Sequence, residues 1–401
     1  MRRALIVVEN ESVPHDKRVW QHAQALTNAG VEVSVICPQG ENGEEASYAE
    51  LEGIRIHRYA PRFGGGRVGS YLVEYGGAMR EIRALVRRLV RAGRFDVVQA
   101  CNPPDVLLFA ALSARRRGAA LVFDHHDLVP ELFESRFGRR GLVYAGAQAA
   151  ERAAFALADV VISTNESYRK VARTRGHKRP EDVFVVRNAP DLSQFRPVAP
   201  DEALLADHPY LIGYVGVMGP QDGLDHAIRA LAELRSRRDD WRAVFVGEGD
   251  VLEQTKELAA ALGVDGDVDF LGWLDTERLV QVLATATVCV VPDPKNPLND
   301  VSSMVKVVEY MAMSRPVAAY ELEETRITAG DAAAYATPND PKSLADVIDR
   351  LLDDPDLRAR MSAAGRARVE AGLSWEFAEG ELLAAYERAF AIADRRSRRA
   401  G

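Results

Sequence analysis

Short apolar runs alternate with longer amphipathic runs along the whole chain. The short runs are rich in Val, Ile and Leu, as expected of strands that are covered on both faces. In the longer runs an apolar residue recurs every three or four positions, which is typical of helices packed on a sheet. The alternation predicts an α/β protein with doubly wound, mostly parallel sheets. In the first half the predicted strands are 3–10, 31–38, 53–60, 95–104, 119–127, 159–165 and 183–190.

The pattern starts again in the second half of the chain. A segment rich in Pro and Asp, 188–209, comes before the new series, and such a composition is typical of a linker. A chain of 401 residues also suits two domains, because a single core rarely grows so large. We predict one domain over 1–195 and a second over 205–374. The predicted strands of the second series are 210–219, 241–250, 268–274, 286–293 and 315–322.

Two doubly wound domains have a consequence for ligand binding. Ligands of parallel sheets bind at the carboxyl ends of the strands, where loops and helix N-termini converge. We therefore expect two such sheets to face one cleft. Closure of one domain over that cleft would exclude water from a reactive intermediate.

The net charge of −8 is distributed unevenly. Residues 1–200 carry 29 Lys and Arg against 23 Asp and Glu, whereas residues 201–401 carry 22 against 36. Halves of opposite sign fit two domains with different partners, and the acidic total argues against nucleic acid as a partner. The apolar runs are too short for a signal peptide or a membrane span, so we expect a cytoplasmic protein. The three cysteines lie in apolar runs without metal-ligand spacing, and we expect buried, reduced thiols at Cys37, Cys101 and Cys289.

Six phrases of the sequence, in their order, resemble the family-4 retaining glycosyltransferases. They are VFVVRNAPDLSQFRP (183–197), GYVGVMGPQDGLDHAIRALAEL (213–234), VFVGEGD (244–250), FLGWLD (270–275), VVEYMAMSRPVAA (307–319) and LSWEFAEGELLAAYERAF (373–390). The resemblance implies a GT-B fold, with two Rossmann-like domains facing a cleft and a last helix, here 375–395, that crosses back to the N-terminal domain. It also implies that the N-terminal domain binds the acceptor and the C-terminal domain the nucleotide-sugar.

The same resemblance implies an activity. A sugar would pass from a nucleotide-sugar donor to a hydroxyl acceptor, which is a glycan, a lipid-linked molecule or a small molecule, with retention of the anomeric configuration. No enzyme nucleophile, metal ion or other cofactor would be needed. The protein would orient the reactants and stabilise the charge of the departing phosphate.

The loop 216–223 follows a predicted strand and leads into a predicted helix. Gly216, Gly219 and Gly223 would let the backbone approach a ligand closely, and the helix N-terminus would offer N–H groups to a diphosphate. A plain turn between strand and helix is the alternative, because short glycine motifs occur often by chance. By the resemblance, Gly247 and Glu248 also belong to the donor site.

Glu309 is the candidate for holding the ribose of the donor. A carboxylate can accept hydrogen bonds from both ribose hydroxyls, although a lone Glu near the start of a helix is usually a surface residue. By the resemblance it matches the second glutamate of the family's Glu-x7-Glu motif. The first glutamate of that motif would fall at Val301. We expect the neighbouring side chains to contact the donor instead, namely Asp300, Ser302 and Ser303.

The donor loop lacks the basic residues of the family. The family's Arg and Lys would fall at Val217 and Asp222, so the cations that usually offset the departing diphosphate are missing. Lys306 lies on the same helix face as Glu309, three residues earlier, and is our catalytic candidate in their place. Arg18 is the donor-binding candidate of the N-terminal domain, with a solvated residue of the first helical turn as the alternative.

The segment FDHHDLVPELF (123–133) follows a strand and resembles the acceptor-side element of the family. The resemblance gives His126 a catalytic role facing the donor sugar, because an imidazole there can hydrogen-bond a sugar hydroxyl. Asp127 and Glu131 are candidates for binding acceptor hydroxyls. DHHD could instead hold a metal ion, but adjacent histidines point in different directions and no further ligands cluster with them. We therefore predict no metal site.

Two basic or glycine-rich features need separate interpretation. GGGRVG (64–69) satisfies the dinucleotide pattern G-x-G-x-x-G, yet it does not follow a strand directly, so we interpret it as a flexible loop beside the acceptor cleft. The next helix carries a stripe of basic residues. The stripe is either a solvated helix face or a peripheral contact with anionic lipid at the inner face of the membrane. It consists of Arg80, Arg83, Arg87, Arg91 and Arg94.

Two other functions remain open. A nucleotide-sugar 2-epimerase shares the two-domain architecture and needs acid and base groups in its cleft, whereas the phrases at 188–197 and 374–377 favour the transferase. A non-catalytic nucleotide-sugar-binding protein is the other alternative, because Val217, Asp222 and Val301 stand where the family has functional residues.

Overall fold

The computed structural model describes residues 1–40, 45–60, 68–137 and 140–400, with side chains for all of these except 68–75, 136–137 and 399–400. The chain forms two compact units. The first comprises Met1–Arg187 together with Ala378–Gly401, and the second comprises Asn188–Phe377. Each unit is built around its own sheet and its own apolar core.

Eight strands form the sheet of the first unit in the part of the chain that the structure describes. They are β1 (Arg3–Val7), β2 (Glu32–Pro38), β3 (Tyr48–Leu51), β4 (Ile54–Tyr59), β5 (Val97–Cys101), β6 (Ala120–His125), β7 (Val160–Ser163) and β8 (Val183–Val185). Their order across the sheet is β3-β4-β2-β1-β5-β6-β7-β8. All neighbouring pairs are parallel except β3 and β4, which run antiparallel.

The helices of the first unit follow its strands along the chain. They are α1 (Lys17–Asn28), α2 (Val68–Ala92), α3 (Leu112–Arg115), α4 (Val129–Phe137), α5 (Leu142–Leu157) and α6 (Glu166–Thr174). Helix α1 begins where the Asp16 carboxylate accepts a hydrogen bond from the backbone N–H of Val19, a favourable N-cap. Its buried face carries two polar side chains, Arg18 and His22, among apolar ones. This helix therefore brings a cation into the interior next to β6.

Six parallel strands form the sheet of the second unit. They are β9 (Tyr210–Val215), β10 (Trp241–Val246), β11 (Val268–Gly272), β12 (Val288–Val291), β13 (Val317–Tyr320) and β14 (Ala333–Ala336), in the order β11-β10-β9-β12-β13-β14. The helices are α7 (Leu224–Arg235), α8 (Leu252–Ala261), α9 (Thr276–Thr285), α10 (Val305–Ala312), α11 (Glu323–Ala329), α12 (Pro341–Asp353) and α13 (Pro355–Gly372). The last helix, α14 (Trp375–Ala400), belongs to the first unit from Ala378 onward.

The predicted fold class, with two doubly wound parallel sheets and a terminal helix that returns to the first domain, is confirmed. The prediction missed β3 and β14. Strand β3 is a largely exposed edge strand, and β14 consists of alanines and one tyrosine, so neither has the Val- and Ile-rich composition that predicts a strand. The three cysteines are buried and unpaired, as predicted.

Two further sequence predictions concern membrane-spanning helices and the GGGRVG segment. Among the described residues, none of the helices combines the length and the apolar composition that a membrane span requires. The GGGRVG segment, predicted to be a loop beside the acceptor cleft, lies outside the described residues as far as Arg67. Its last two residues, Val68 and Gly69, begin α2.

Candidate functional site

The glycine-rich loop at the carboxyl end of β9 packs directly against the loop after β10. The backbone N–H of Gly216 donates to the carbonyl of Val246, and that of Met218 donates to the carbonyl of Glu248. Gly247 has a φ of +132°, and a Cβ at this position would overlap the carbonyl oxygen of Gly216. Only glycine satisfies both demands, so the sequence keeps these two loops in close contact.

The helix that follows this loop also begins at a glycine. Gly223 is the N-terminal cap of α7 with a φ of +70°, and a Cβ there would overlap the carbonyl oxygen of Pro292. Within the loop, the backbone N–H of Gly219 donates to Asp222 Oδ2 at 3.0 Å. One of the amides expected to meet a diphosphate is therefore occupied by an acidic side chain of the loop itself.

Lys306 lies buried beside this loop. It comes from the first turn of α10, and its Nζ donates to both oxygens of Asp293 at 2.9 and 3.1 Å. The ammonium also lies 4.8 Å from the ring centroid of Tyr214 and 3.7 Å from Asp222 Oδ1. The structure thus brings the predicted cation to the predicted glycine loop. It adds two partners, Asp293 and Tyr214, that no motif indicated.

The ionisation of Lys306 and of Asp222 depends on their burial and on each other. Burial opposes the charge of Lys306, but Asp293 and Asp222 hold the pKa of its ammonium above the usual value. Burial raises the pKa of Asp222 to about 6, in spite of the attraction of Lys306. Above that pH Asp222 is ionised and places a negative charge 3.7 Å from the Lys306 ammonium. The loop itself therefore carries a negative charge at Asp222, as expected from the absence of basic residues in its sequence.

Glu309 lies one turn after Lys306 on α10 and is half-buried. The predicted residues before this helix are engaged locally. Asp300 accepts from the backbone N–H of Glu323 at 2.9 Å, Ser302 Oγ donates to the Leu298 carbonyl, and Ser303 Oγ donates to the carboxylate of Glu324 at 3.2 Å. Val301 ends a short 3₁₀ turn, Asn299–Val301, in this segment. Glu248 is exposed.

In the first unit, Arg18 forms a buried ion pair with Asp124. Its Nε and Nη2 donate to the two carboxylate oxygens at 3.0 and 2.8 Å, and its Nη1 donates to the carbonyl of Val186 at 3.1 Å. The alternative of a solvated first-turn residue is wrong, because only 9% of Arg18 is exposed. Burial disfavours the charge of Asp124, yet Arg18 holds the pKa of this carboxyl well below its usual range.

The end of β6 presents His126 and Asp127 on a fixed backbone. The Asn102 side-chain oxygen accepts from the backbone N–H groups of both residues at 2.9 and 3.1 Å. His126 Nδ1 lies 3.7 Å from Asp124 Oδ1. Burial opposes a positive imidazole, but the neighbouring Asp124 raises the pKa of His126. Asn102, at the carboxyl end of β5, is a contributor that sequence reasoning missed.

The other residues of FDHHDLVPELF point to different partners. His125 Nε2 lies 3.3 Å from Glu151 Oε1, and both side chains are fully buried. Glu131, predicted to bind acceptor hydroxyls, accepts two hydrogen bonds from Arg175 at 2.8 and 3.2 Å. Among the described residues there is no group of three or more His, Cys, Asp or Glu side chains that could hold a metal ion.

The basic stripe lies on the exposed side of α2. Its apolar side, with Ile82, Val86 and Val90, is buried in the core of the first unit. Arg80, Arg83, Arg87 and Arg91 are exposed along this helix. The prediction that Arg94 continues the stripe is wrong, because α2 ends at Ala92 and Arg94 lies beyond it, with its Nη2 3.7 Å from Asp96 Oδ1.

Comparisons with known proteins fit this geometry. Residues 196–368 match the family of glycosyl transferases group 1, and residues 16–189 match the glycosyl transferase 4-like domain. The chain is 30% identical over 336 residues to D-inositol 3-phosphate glycosyltransferase 1 of Catenulispora acidiphila, which covers 79% of this chain and 78% of that protein. This chain belongs to the GT-B glycosyltransferases.

A second relative is matched over a shorter segment of this glycosyltransferase. It is 29% identical over 184 residues to α-D-kanosaminyltransferase of Streptomyces kanamyceticus, which covers 45% of this chain and 46% of that protein. The chain thus spans about half the length of that relative.

Solved structures share the fold of the glycosyltransferase. Sucrose-phosphate synthase of Thermosynechococcus elongatus is similar with a TM-score of 0.79 at 19% identity, covering 97% of this chain and 100% of that one. Anabaena HepE in complex with UDP and glucose is similar with a TM-score of 0.73 at 16% identity, covering 96% and 100%. At these identities the likeness establishes the fold.

Proposed function

We propose that this glycosyltransferase moves a sugar from a nucleotide-sugar donor to a hydroxyl acceptor, with retention of the anomeric configuration and without a metal ion or other cofactor. The observation that carries the proposal is the position of Lys306, buried beside the glycine loop at the carboxyl end of β9. Glu309 follows one turn later on the same helix. A cation, a set of loop amides and a carboxylate at one sheet edge suit a diphosphate and a ribose.

Each group of the second unit has a distinct task in this proposal. Lys306 and the loop at Gly216, Gly219 and Gly223 stabilise the negative charge on the departing diphosphate. Glu309 accepts hydrogen bonds from the two ribose hydroxyls and so fixes the position of the nucleoside. The loop at Gly247 and Glu248, with Asp300, Ser302 and Ser303 before α10, lines the rest of the donor site.

The first unit supplies the acceptor side. His126 contacts the transferred sugar. The negative charge of Asp124 lies next to the His126 imidazole and favours its protonated form. Arg18, the donor-binding candidate of this unit, adds a fixed positive charge next to Asp124. Asp127 binds an acceptor hydroxyl, and Glu131 does so while it keeps its bond to Arg175.

The reaction needs no enzyme nucleophile. The bond from the anomeric carbon to the diphosphate breaks, and the acceptor oxygen bonds to the same carbon from the same face. The proton of the acceptor hydroxyl passes to the departing phosphate. The protein orients the two reactants and stabilises the leaving charge.

The test is a proton NMR assay of the anomeric signals with a panel of UDP-, GDP-, dTDP- and ADP-sugars. Slow release of one sugar in its original anomeric configuration would support the transferase and identify its donor. Formation of a 2-epimer would instead indicate an epimerase, and line broadening with no conversion in the presence of acceptors would indicate a nucleotide-sugar-binding protein. The Anabaena protein solved with UDP makes UDP-sugars the first choice.

Glu309→Gln measures the role assigned to the ribose contact. Hydrogen bonds from two hydroxyls to a carboxylate lose about 1.5–3 kcal/mol of binding free energy when the charge is removed. The Kd of the donor should therefore rise roughly 10- to 100-fold. Glu257→Gln on the exposed side of α8 is the matched control and should leave the Kd unchanged. An unchanged Kd in Glu309→Gln would contradict the assignment.

The exposed stripe on α2 supports a peripheral contact with anionic lipid. Each arginine near an anionic surface contributes about 1 kcal/mol. Reversing Arg83, Arg87 and Arg91 to Glu should therefore abolish sedimentation with phosphatidylserine vesicles, while neutral phosphatidylcholine vesicles show the background. Binding that is unchanged in the triple variant would remove the membrane contact from the proposal.

A further inference from the structure

A continuous chain of buried polar side chains connects the last helix to the acceptor-side residues of the first unit. Tyr386 of α14 donates its hydroxyl to Gln99 Oε1 at 2.8 Å. Gln99 lies in the middle of β5, and its Nε2 donates to Asp124 Oδ2 at 3.2 Å. Gln99 and Asp124 are fully buried, and Tyr386 is 1% exposed. The sequence patterns assigned no role to either Tyr386 or Gln99.

The orientation of the Gln99 amide follows from its neighbours. Nε2 faces Asp124 and also His22 Nδ1, which lies 3.1 Å away. Burial and the charge of Arg18 lower the pKa of His22 to about 3, so at neutral pH this imidazole is uncharged and its Nδ1 can accept. A flipped amide would direct its oxygen at two acceptors. Gln99 Oε1 therefore faces Tyr386, whose hydroxyl is the donor that satisfies it.

Asp124 is the point where this chain meets the proposed site. Its carboxylate accepts from Gln99 and from two nitrogens of Arg18, and it lies 3.7 Å from His126 Nδ1. A buried carboxylate with several donors is fixed in one rotation. Removing one donor changes both its rotation and the charge that it presents to the others.

We propose that Tyr386 and Gln99 are positioning residues, which fix Asp124 so that Arg18 and His126 are held in the arrangement that the transfer reaction uses. The inference rests on the proposed function of the first unit. It assigns to the last helix a role at the site in addition to its contribution to the core. Buried polar networks that are fully satisfied specify one arrangement of their members.

The test compares three variants of the full-length protein. Gln99→Leu removes the donor to Asp124, and Tyr386→Phe removes only the hydroxyl that satisfies Gln99. Arg388→Gln is the matched control, because Arg388 lies on the same helix and binds Asp182 at 2.8 and 2.9 Å without touching this chain of residues. Thermal unfolding shows which variants remain folded.

The first readout is the titration of His126, followed by NMR in protein labelled with carbon-13 at histidine Cε1. The chain has eight histidines, and His126→Gln identifies the signal. The charged or titratable groups that act on His126 are Asp124, Asp127, Asp16, Arg18 and His22. Without the Gln99 donor, the negative charge of Asp124 interacts more strongly with His126, so the pKa of His126 should rise in Gln99→Leu. An unchanged pKa in that variant, or an equal change in Arg388→Gln, would overturn the proposal.

The second readout is turnover. We expect kcat to fall about fivefold in Tyr386→Phe, as for one buried hydrogen bond, and about 10- to 100-fold in Gln99→Leu, as for a misplaced catalytic group. KM for the donor should change little. The double variant should be no slower than Gln99→Leu, because Tyr386 acts through Gln99; additive losses would contradict this route.

The two proposals fail in different ways. If the wild type transfers no sugar from any donor of the panel, the proposed function fails, while the His126 titration still reports whether Gln99 fixes Asp124. If the wild type transfers sugar but Gln99→Leu has the kcat and the His126 pKa of the wild type, only the positioning role is wrong.

Discussion

Replacing Asp222 by asparagine should strengthen donor binding. Asp222 accepts a hydrogen bond from the Gly219 N–H at 3.0 Å and lies 3.7 Å from Lys306 Nζ. An asparagine keeps an oxygen for the Gly219 N–H and removes only the charge. Lys306 remains paired with Asp293. The substitution therefore changes the electrostatics of the donor loop and preserves its hydrogen bonding.

The magnitude is set by the distances. A phosphate oxygen in contact with Lys306 would lie about 5 Å from the Asp222 carboxylate, where two unit charges repel by about 3 kcal/mol at an effective dielectric constant of about 20. The Asp222 side chain is only 14% exposed, so salt screens it weakly. Relaxation of the loop removes part of the repulsion. We expect a gain of about 1–2 kcal/mol, which corresponds to a roughly 5- to 30-fold lower donor Kd at about pH 8.

The pH dependence gives a second check with a defined sign. Burial raises the pKa of Asp222 to about 6, so the free protein holds this proton below that pH and loses it above. A diphosphate favours the protonated form, and its presence raises the pKa further. Donor affinity of the wild type should therefore be highest below pH 6 and should fall as the pH rises through 6. The affinity of Asp222→Asn should stay constant and should equal that of the wild type at about pH 5.

Titration calorimetry between about pH 5 and pH 8 measures both effects. The ligand is the intact nucleotide-sugar, because its diphosphate does not titrate in this range. Asp225→Asn removes an exposed carboxylate from the first turn of α7 and is the matched control. A donor Kd that is unchanged or higher in Asp222→Asn at about pH 8, or a pH dependence that this variant keeps, would refute the electrostatic reasoning.

Gly247→Ala and Lys306→Met test the packing at the same edge of the second sheet, and each is compared with a second substitution. Gly247→Ala should lower the free energy of unfolding by about 3 kcal/mol or more, because its Cβ would overlap the Gly216 carbonyl. Gly263→Ala, at a φ of +71° with open space around it, should cost only about 1 kcal/mol, and equal midpoints in denaturant would contradict this difference. Lys306→Met should cost about 3–5 kcal/mol, because it leaves the buried Asp293 without a counter-charge. Adding Asp293→Asn should recover most of that loss; no recovery would show that Lys306 stabilises the unit in another way.

The grouping of the glycine loop with Lys306 at one edge of the second sheet could be predicted from local signals. Gly216, Gly223 and Gly247 follow strands whose Val- and Ile-rich composition is unambiguous, and parallel strands bring their carboxyl ends to one edge. Lys306 and Glu309 are three residues apart on one helix, so their common face follows from helix geometry. These relations are encoded within a few residues and need no knowledge of the tertiary structure.

The missed contacts join residues that are far apart in sequence. Asp293 is the counter-ion of Lys306, but it follows a different strand, and no spacing rule connects them. Arg18 and Asp124 are separated by 106 positions. The alternative that Arg18 is a solvated residue could not be excluded from the sequence, because helix amphipathicity alone does not show which polar side chain faces a buried carboxylate. Such pairs are decided by the packing of one element on another.

The first unit consists of two separate stretches of the chain, which determines when it can complete its fold during synthesis. Its strands lie within the first 187 residues, but α14 joins it only after the 190 residues of the second unit. Leu382, Ala385 and Tyr386 are buried in the finished unit. While the ribosome is still translating the second unit, the apolar surface that α14 will cover stays open and Gln99 lacks its hydroxyl donor. The second unit, whose residues are continuous, can complete its fold first. The first unit is therefore the last of the two to be finished, once α14 has been translated.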